Sequence, residues 1–141
     1  ERRVHSRLVC IVCGDAACLP FPDKSFDLSV SVAALCFVQD QRRTIEEVLR
    51  VTRRRFAIGL LNRHSLLYPQ KGRSGGSGAY RGAHWHTAAE IRELLAGLPV
   101  GNARIQSAVF LPGAGWLAQR VEEILPANWP WGAFIAVSGE V

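Results

Sequence analysis

A carboxylate, Asp15, stands in the stretch GDAACLPFPDKSFDLSVS, directly after the apolar run LVCIVC. An acidic side chain at a strand end can close a turn by bonding its own backbone. It can also accept a charge-assisted hydrogen bond from a ligand that reaches the strand end. Residue type alone leaves both readings open. Cys10 and Cys13 have the CxxC spacing of a zinc or redox pair. On a strand of period two, however, residues three apart point to opposite faces and cannot chelate one ion. Of the four cysteines (Cys10, Cys13, Cys18 and Cys36), Cys10 and Cys13 are therefore expected to be small buried hydrophobes, with a reducing cytoplasm as the setting. His84 and His86 form an HxH pair with no third ligand nearby in sequence, so loop packing or hydrogen bonding is the expectation and no metal is anticipated. The stretch KGRSGGSGAYRG follows no strand and opens no helix, so it fits neither a dinucleotide fingerprint nor a P-loop and reads as a flexible lid or insertion.

These groups need a scaffold, and hydrophobic periodicity supplies one. Leu8–Cys13 reads as a strand covered on both faces, stopped by Gly-Asp. LPFPDKS is a turn by its prolines, and Phe26–Leu35 resumes as a second strand. Asp40 is the expected N-cap of a helix over 41–53, with Ile45, Val48, Leu49 and Thr52 on one face and Glu46 able to pair with Arg50. Arg55–Leu61 is a third strand, and residues 62–86, with five glycines, form a long loop. Thr87 and Glu90 make a capping box for a helix whose stripe is Ile91, Leu94, Leu95 and Leu98. Ala103–Leu111 is a fourth strand, Gly115–Leu125 a third helix, and Gly132–Val141 contains the fifth strand. Trp116, Trp129 and Trp131 are expected to seal one flank of the sheet. The alternation implies an α/β protein: an open, mostly parallel sheet of about five strands with flanking helices. Ligands of such sheets bind beyond the carboxyl ends of the strands, where Asp15, Ala33 and Asn62 would lie.

Composition narrows the function classes. A chain of 141 residues with 48% apolar content is one domain with a core of its own. No apolar run is long enough for a transmembrane helix, so no membrane partner is expected. The opening ERRVHSRLVCIV runs straight into GDAA and further patterned sequence, which argues against an export signal. The net charge of +5 comes largely from arginines placed as the solvated face and C-terminal end of one helix. No aromatic residues interleave with them, so a nucleic-acid partner is not expected.

Taken together, GDAACLPFPDKSFDLSVS, ALCFVQD and EEVLRV resemble the class I S-adenosylmethionine-dependent methyltransferases, most of all their type 11 branch. The resemblance runs from about Leu8 to Val141. It implies a Rossmann-like sheet of seven strands with the last antiparallel. Leu8–Cys13, Phe26–Leu35, Arg55–Leu61, Ala103–Leu111 and Phe134–Glu140 then correspond to its third to seventh strands. Only seven residues precede Leu8. The glycine-rich turn after the first strand and the acidic residue after the second are thus missing, so residues 1–141 are expected to be the C-terminal portion of a single methyltransferase domain.

The same resemblance implies S-adenosyl-L-methionine as cofactor and a small molecule as methyl acceptor. Asp15 would accept from the adenine amino group and the Ala16 amide would reach a ring nitrogen, while Val32, Ala33 and Leu35 would line the cofactor's middle. Phe37 and Asn62 would lie on the acceptor side, and His86 is the candidate catalyst, should the acceptor have to lose a proton. The alternative is a non-catalytic remnant that acts as a binding module, joining a partner or a second copy through an unpaired sheet edge.

Overall fold

The computed structural model describes residues 10–108 and 131–141. Strand β1 (Phe26–Val32) leads through a single 3-10 turn, Ala34–Phe37, into helix α1 (Gln41–Val51). Strand β2 (Thr52–Leu61), short helix α2 (Tyr68–Lys71), helix α3 (Ala88–Leu95), strand β3 (Gly101–Ala108) and strand β4 (Phe134–Glu140) complete the described elements. The sheet order is β1-β2-β4-β3. β1 and β2 are parallel, whereas β4 runs antiparallel to both of its neighbours.

Local chemistry explains the boundaries. Asp40 accepts the Arg43 amide at 2.9 Å and so caps α1. The helix stops at Val51, because Thr52 turns extended and begins β2 immediately, a residue or two earlier than periodicity predicts. The capping box at Thr87 and Glu90 is present as predicted, with the Thr87 amide donating to the Glu90 carboxylate at 2.7 Å. β1 is shorter than its apolar run suggests. It ends at Val32, and Leu35 lies on the following turn.

Phe56, Ile58 and Leu60 on β2 and Ile135 and Val137 on β4 face α1 and α3, and this single layer is the core. Burying each such side chain is worth about 1.5–3 kcal/mol. The opposite face carries Leu28, Val30 and Val32, which are 57%, 62% and 67% exposed. They stand in register with Arg55, Ala57 and Gly59.

Three expectations are corrected. Residues 10–13 form no strand: Ile11 is 94% exposed, and β1 is the edge of the sheet, so four strands are described, not five. Leu8 lies outside the described residues, as do the predicted helix over 115–125, Trp116 and Trp129. Cys10, Cys13 and Cys18 are exposed, and only Cys36 is a buried thiol. An apolar run gains its burial from neighbouring strands, and among the described residues Cys10–Cys13 has none beside it. Glu46 pairs with Arg42 and Arg43, while Arg50 turns to Glu47.

Candidate functional site

The segment before β1 is held by α1. Glu47, buried on the inner side of the helix, accepts the Leu19 amide at 2.8 Å and the Arg50 guanidinium at 2.8 and 2.9 Å. Arg50 in turn donates to the Leu19 and Phe21 carbonyls and to Asp23. The hydrogen bonds from Arg50 hold the Glu47 carboxyl down at about 2. The motifs LPFPD and EEVLR are thus two halves of one clamp, in which Arg50, expected to pair with Glu46, pairs instead with Glu47, a residue to which the sequence assigned no role.

At the head of this segment Asp15 makes a turn of its own. Its Oδ1 accepts the Ala17 amide at 2.9 Å and its carbonyl the Cys18 amide at 3.0 Å. The carboxylate is exposed and enters no ion pair with a described residue. Ala16, half-buried, lines a groove of about 320 Å³ together with Ser31, Ala34 and Val38. The Asp15–Ala16 turn is therefore brought against the β1–α1 unit.

At the carboxyl end of β1, Val32 is exposed and Ala33 adopts a left-handed conformation (φ 58°). Its amide donates to the Gly59 carbonyl at 2.8 Å. A non-glycine residue there costs about 1–2 kcal/mol, and such strain collects at ligand-binding turns. Leu35 follows, fully buried in the core, so its side chain does not face the groove. Phe37, the last residue of that turn, is half exposed.

The end of β2 is closed. Asn62 is buried, its Nδ2 donates to the Gly132 carbonyl at 2.7 Å, and its Oδ1 accepts the His64 amide at 3.0 Å. His86 is fully buried beside it, in a one-bridge parallel pairing with Asn62. Its Nε2 lies 3.0 Å from Gln41 Oε1 and its Nδ1 4.0 Å from Cys36 Sγ. Burial, reinforced by His84 at 4.5 Å between ring centres, pushes the imidazole down to about 4, so it is neutral at physiological pH. Burial also pushes the Cys36 thiol up. His84, exposed, lines a second cleft of about 330 Å³ together with His86, Gln41, Glu90 and Glu93. The structure therefore brings Ala16 to β1 and α1 and leaves Phe37 half exposed at the end of the following turn, but it ties Asn62 and His86 into internal bonds. Among the described residues no group of three or more His, Cys, Asp or Glu could hold a metal ion, and no helix is long and apolar enough to cross a membrane.

Known proteins carry the same pattern. Residues 1–56 match the family model of the methyltransferase domain. An uncharacterized protein of Methanocaldococcus jannaschii is 29% identical over 128 residues, 86% of this chain and 59% of that protein. A Thermotoga maritima S-adenosylmethionine-dependent methyltransferase, described as a possible histamine N-methyltransferase, superposes with a TM-score of 0.74 at 25% identity, over 94% of this chain and 64% of its own. The magnesium protoporphyrin IX methyltransferase of Synechocystis, solved with bound SAH, shares the fold at a TM-score of 0.51 and 14% identity, over 90% of this chain and 48% of its own. This chain thus spans less than two thirds of the relatives it matches.

Proposed function

We propose that this chain, similar in sequence and fold to S-adenosylmethionine-dependent methyltransferases, is a class I member of them and forms the cofactor-side and acceptor-side C-terminal part of an enzyme that methylates a small molecule. The observation that carries this reading is the placement of the Asp15–Ala16 turn against β1, whose far end is the strained Ala33 turn. The residues present fit part of the cofactor. Asp15 has a solvent-facing carboxylate to accept from the adenine amino group, Ala16 has a backbone amide beside it, and Val32 and Ala33 offer a small apolar surface. Leu35 supports that surface from within the core and makes no contact of its own.

The cofactor, when bound, supplies an electrophilic methyl group on its own leaving group, so the protein's work is orientation. Phe37, half exposed at the end of the turn after β1, is the side chain that would cover an acceptor. His86 is fully buried, its Nε2 beside Gln41 and its Nδ1 facing Cys36, which favours a structural role for it. The bare apolar face and open edge of β1 support the reading that further elements of the same fold complete the sheet on that side.

Titration of the chain with S-adenosylhomocysteine is the test. Weak binding that Asp15→Ala abolishes is expected, and binding indifferent to Asp15 would sink the assignment. The same open edge favours a second reading, a methyltransferase-like binding module that adds a partner strand at β1. No response to S-adenosylhomocysteine, with a concentration-dependent increase in mass that Val30→Lys prevents, would favour that module.

A further inference from the structure

Cys36 and His86 are 50 residues apart in sequence, and Gln41 and His86 are 45 apart, yet they form one chain of hydrogen bonds, buried at Cys36 and part-buried at Gln41. Its direction is dictated at Gln41. The Gln41 Nε2 donates to the Leu35 carbonyl at 3.1 Å, and a carbonyl only accepts, so Oε1 must be the atom that faces His86. Oε1 also only accepts, so the proton of the neutral imidazole sits on Nε2, 3.0 Å away. Nδ1 is then a bare acceptor pointing at Cys36. The sulfur accepts the Leu61 amide at 3.3 Å, which leaves its own S–H to be aimed at Nδ1.

The same three segments are stitched by backbone. The His84 amide donates to the Cys36 carbonyl at 2.7 Å, and the His86 amide to the Leu61 carbonyl at 2.8 Å. The turn after β1, the end of β2 and the stretch before α3 therefore close into a ring with His86 at its centre. Ala33 and Phe37 are the two flanks of that turn.

We infer that His86 is a positioning residue: through Cys36 and Gln41 it latches the turn Ala34–Phe37 to the end of β2, and so fixes the left-handed Ala33 and the half-exposed Phe37. That this turn borders a cofactor rests on the methyltransferase reading, whereas the latch does not. The neutral imidazole is part of the device. A second proton on Nδ1 would set N–H against S–H and break the chain at Cys36. The groups around the imidazole are His84 edge-on, Glu90 and Arg63, which pair at 3.2 Å, and the Cys36 thiol.

Long-range 1H–15N spectra of the whole chain read the tautomer directly. Nε2–H with a bare Nδ1 is expected at neutral pH, and the opposite tautomer would overturn the latch. Gln41→Leu removes the acceptor and keeps bulk. The amides of Leu61 and His84, both bonded to Cys36, should then exchange about tenfold faster, with alkylation of Cys36 rising in step, while the amides of Ile135 and Val137 hold their rates. A uniform rise at all four amides, or none at Leu61 and His84, would overturn the inference. Gln41→Glu places a carboxylate at the same distance and should lift the His86 titration toward neutral pH, and an unmoved titration would count against the contact. Titration of the same samples with S-adenosylhomocysteine keeps the two ideas apart. A wild-type chain with the expected tautomer and no affinity for S-adenosylhomocysteine supports the latch and sinks the cofactor reading.

Discussion

Glu47 Oε1 lies 2.8 Å from Arg50 Nε, one helical turn along α1, and the pair binds the backbone of a segment about 30 residues earlier. The buried carboxylate accepts from Leu19 while the guanidinium donates to the Leu19 and Phe21 carbonyls. Arg50→Ala should therefore release the turn over 19–23 and leave Glu47 buried with one partner fewer. The melting temperature should fall by roughly 5 °C. Limited proteolysis should cut first between Leu19 and Ser25, and cleavage elsewhere would show that the clamp is not what orders this segment. Arg43→Ala, whose side chain is exposed, serves as the near-neutral control.

Acid should destabilise the chain in two steps. The His86 imidazole is held at about 4 in the fold against an ordinary 6.5, so the unfolded chain binds the extra proton first, and stability falls as pH drops from about 6.5 to 4. The integrated loss is on the order of 3 kcal/mol. Glu47, held at about 2 against 4.5, contributes stability that is present above 4.5 and lost as pH falls toward 2. Urea midpoints between pH 7 and 4 check the first step. His86→Gln should flatten that part of the curve.

Gly139 lies opposite Phe56 in the β2–β4 register, and a Cβ on it would come within 2.8 Å of the Phe56 ring and 3.0 Å of the Gly101 carbonyl oxygen. Phe56 is 1% exposed and cannot move aside without opening the core. Gly139→Ala should cost about 1–3 kcal/mol in denaturant unfolding. An unchanged midpoint would mean that the strand gives way where it is expected to be rigid.

Asp15→Asn keeps the turn-forming oxygen that accepts from Ala17 but removes the charge. Thermal stability should stay within about 0.5 kcal/mol of wild type, because the side chain is exposed. Calorimetry should show affinity for S-adenosylhomocysteine reduced about tenfold, the loss appropriate to one charge-assisted hydrogen bond.

The parts of the fold legible in the sequence are those that short-range chemistry specifies: Asp40 and Thr87 as caps, the stripe of α1, and the alternation of Phe56, Ile58 and Leu60. Cys10–Cys13 misled because apolar residues announce a preference for burial without supplying the neighbour that satisfies it. Glu47 was missed because pairing along a helix can run three or four residues, and the choice between Glu46 and Glu47 depends on the segment docked alongside. For Asn62 and His86 the sequence places polar groups near a strand end without saying what they bond. Their partners, Gly132, Gln41 and Cys36, arrive from as many as 70 residues away, a distance over which sequence pattern carries no signal.

The distribution of thiols has a practical corollary. Cys10, Cys13 and Cys18 face water and will react with alkylating agents or air on the timescale of ordinary cysteine, whereas Cys36 can be reached only when its ring of partners lets go. One sample therefore contains three fast reporters and one slow one. Their ratio measures, in a single mass spectrum, how often the molecule breathes at that turn.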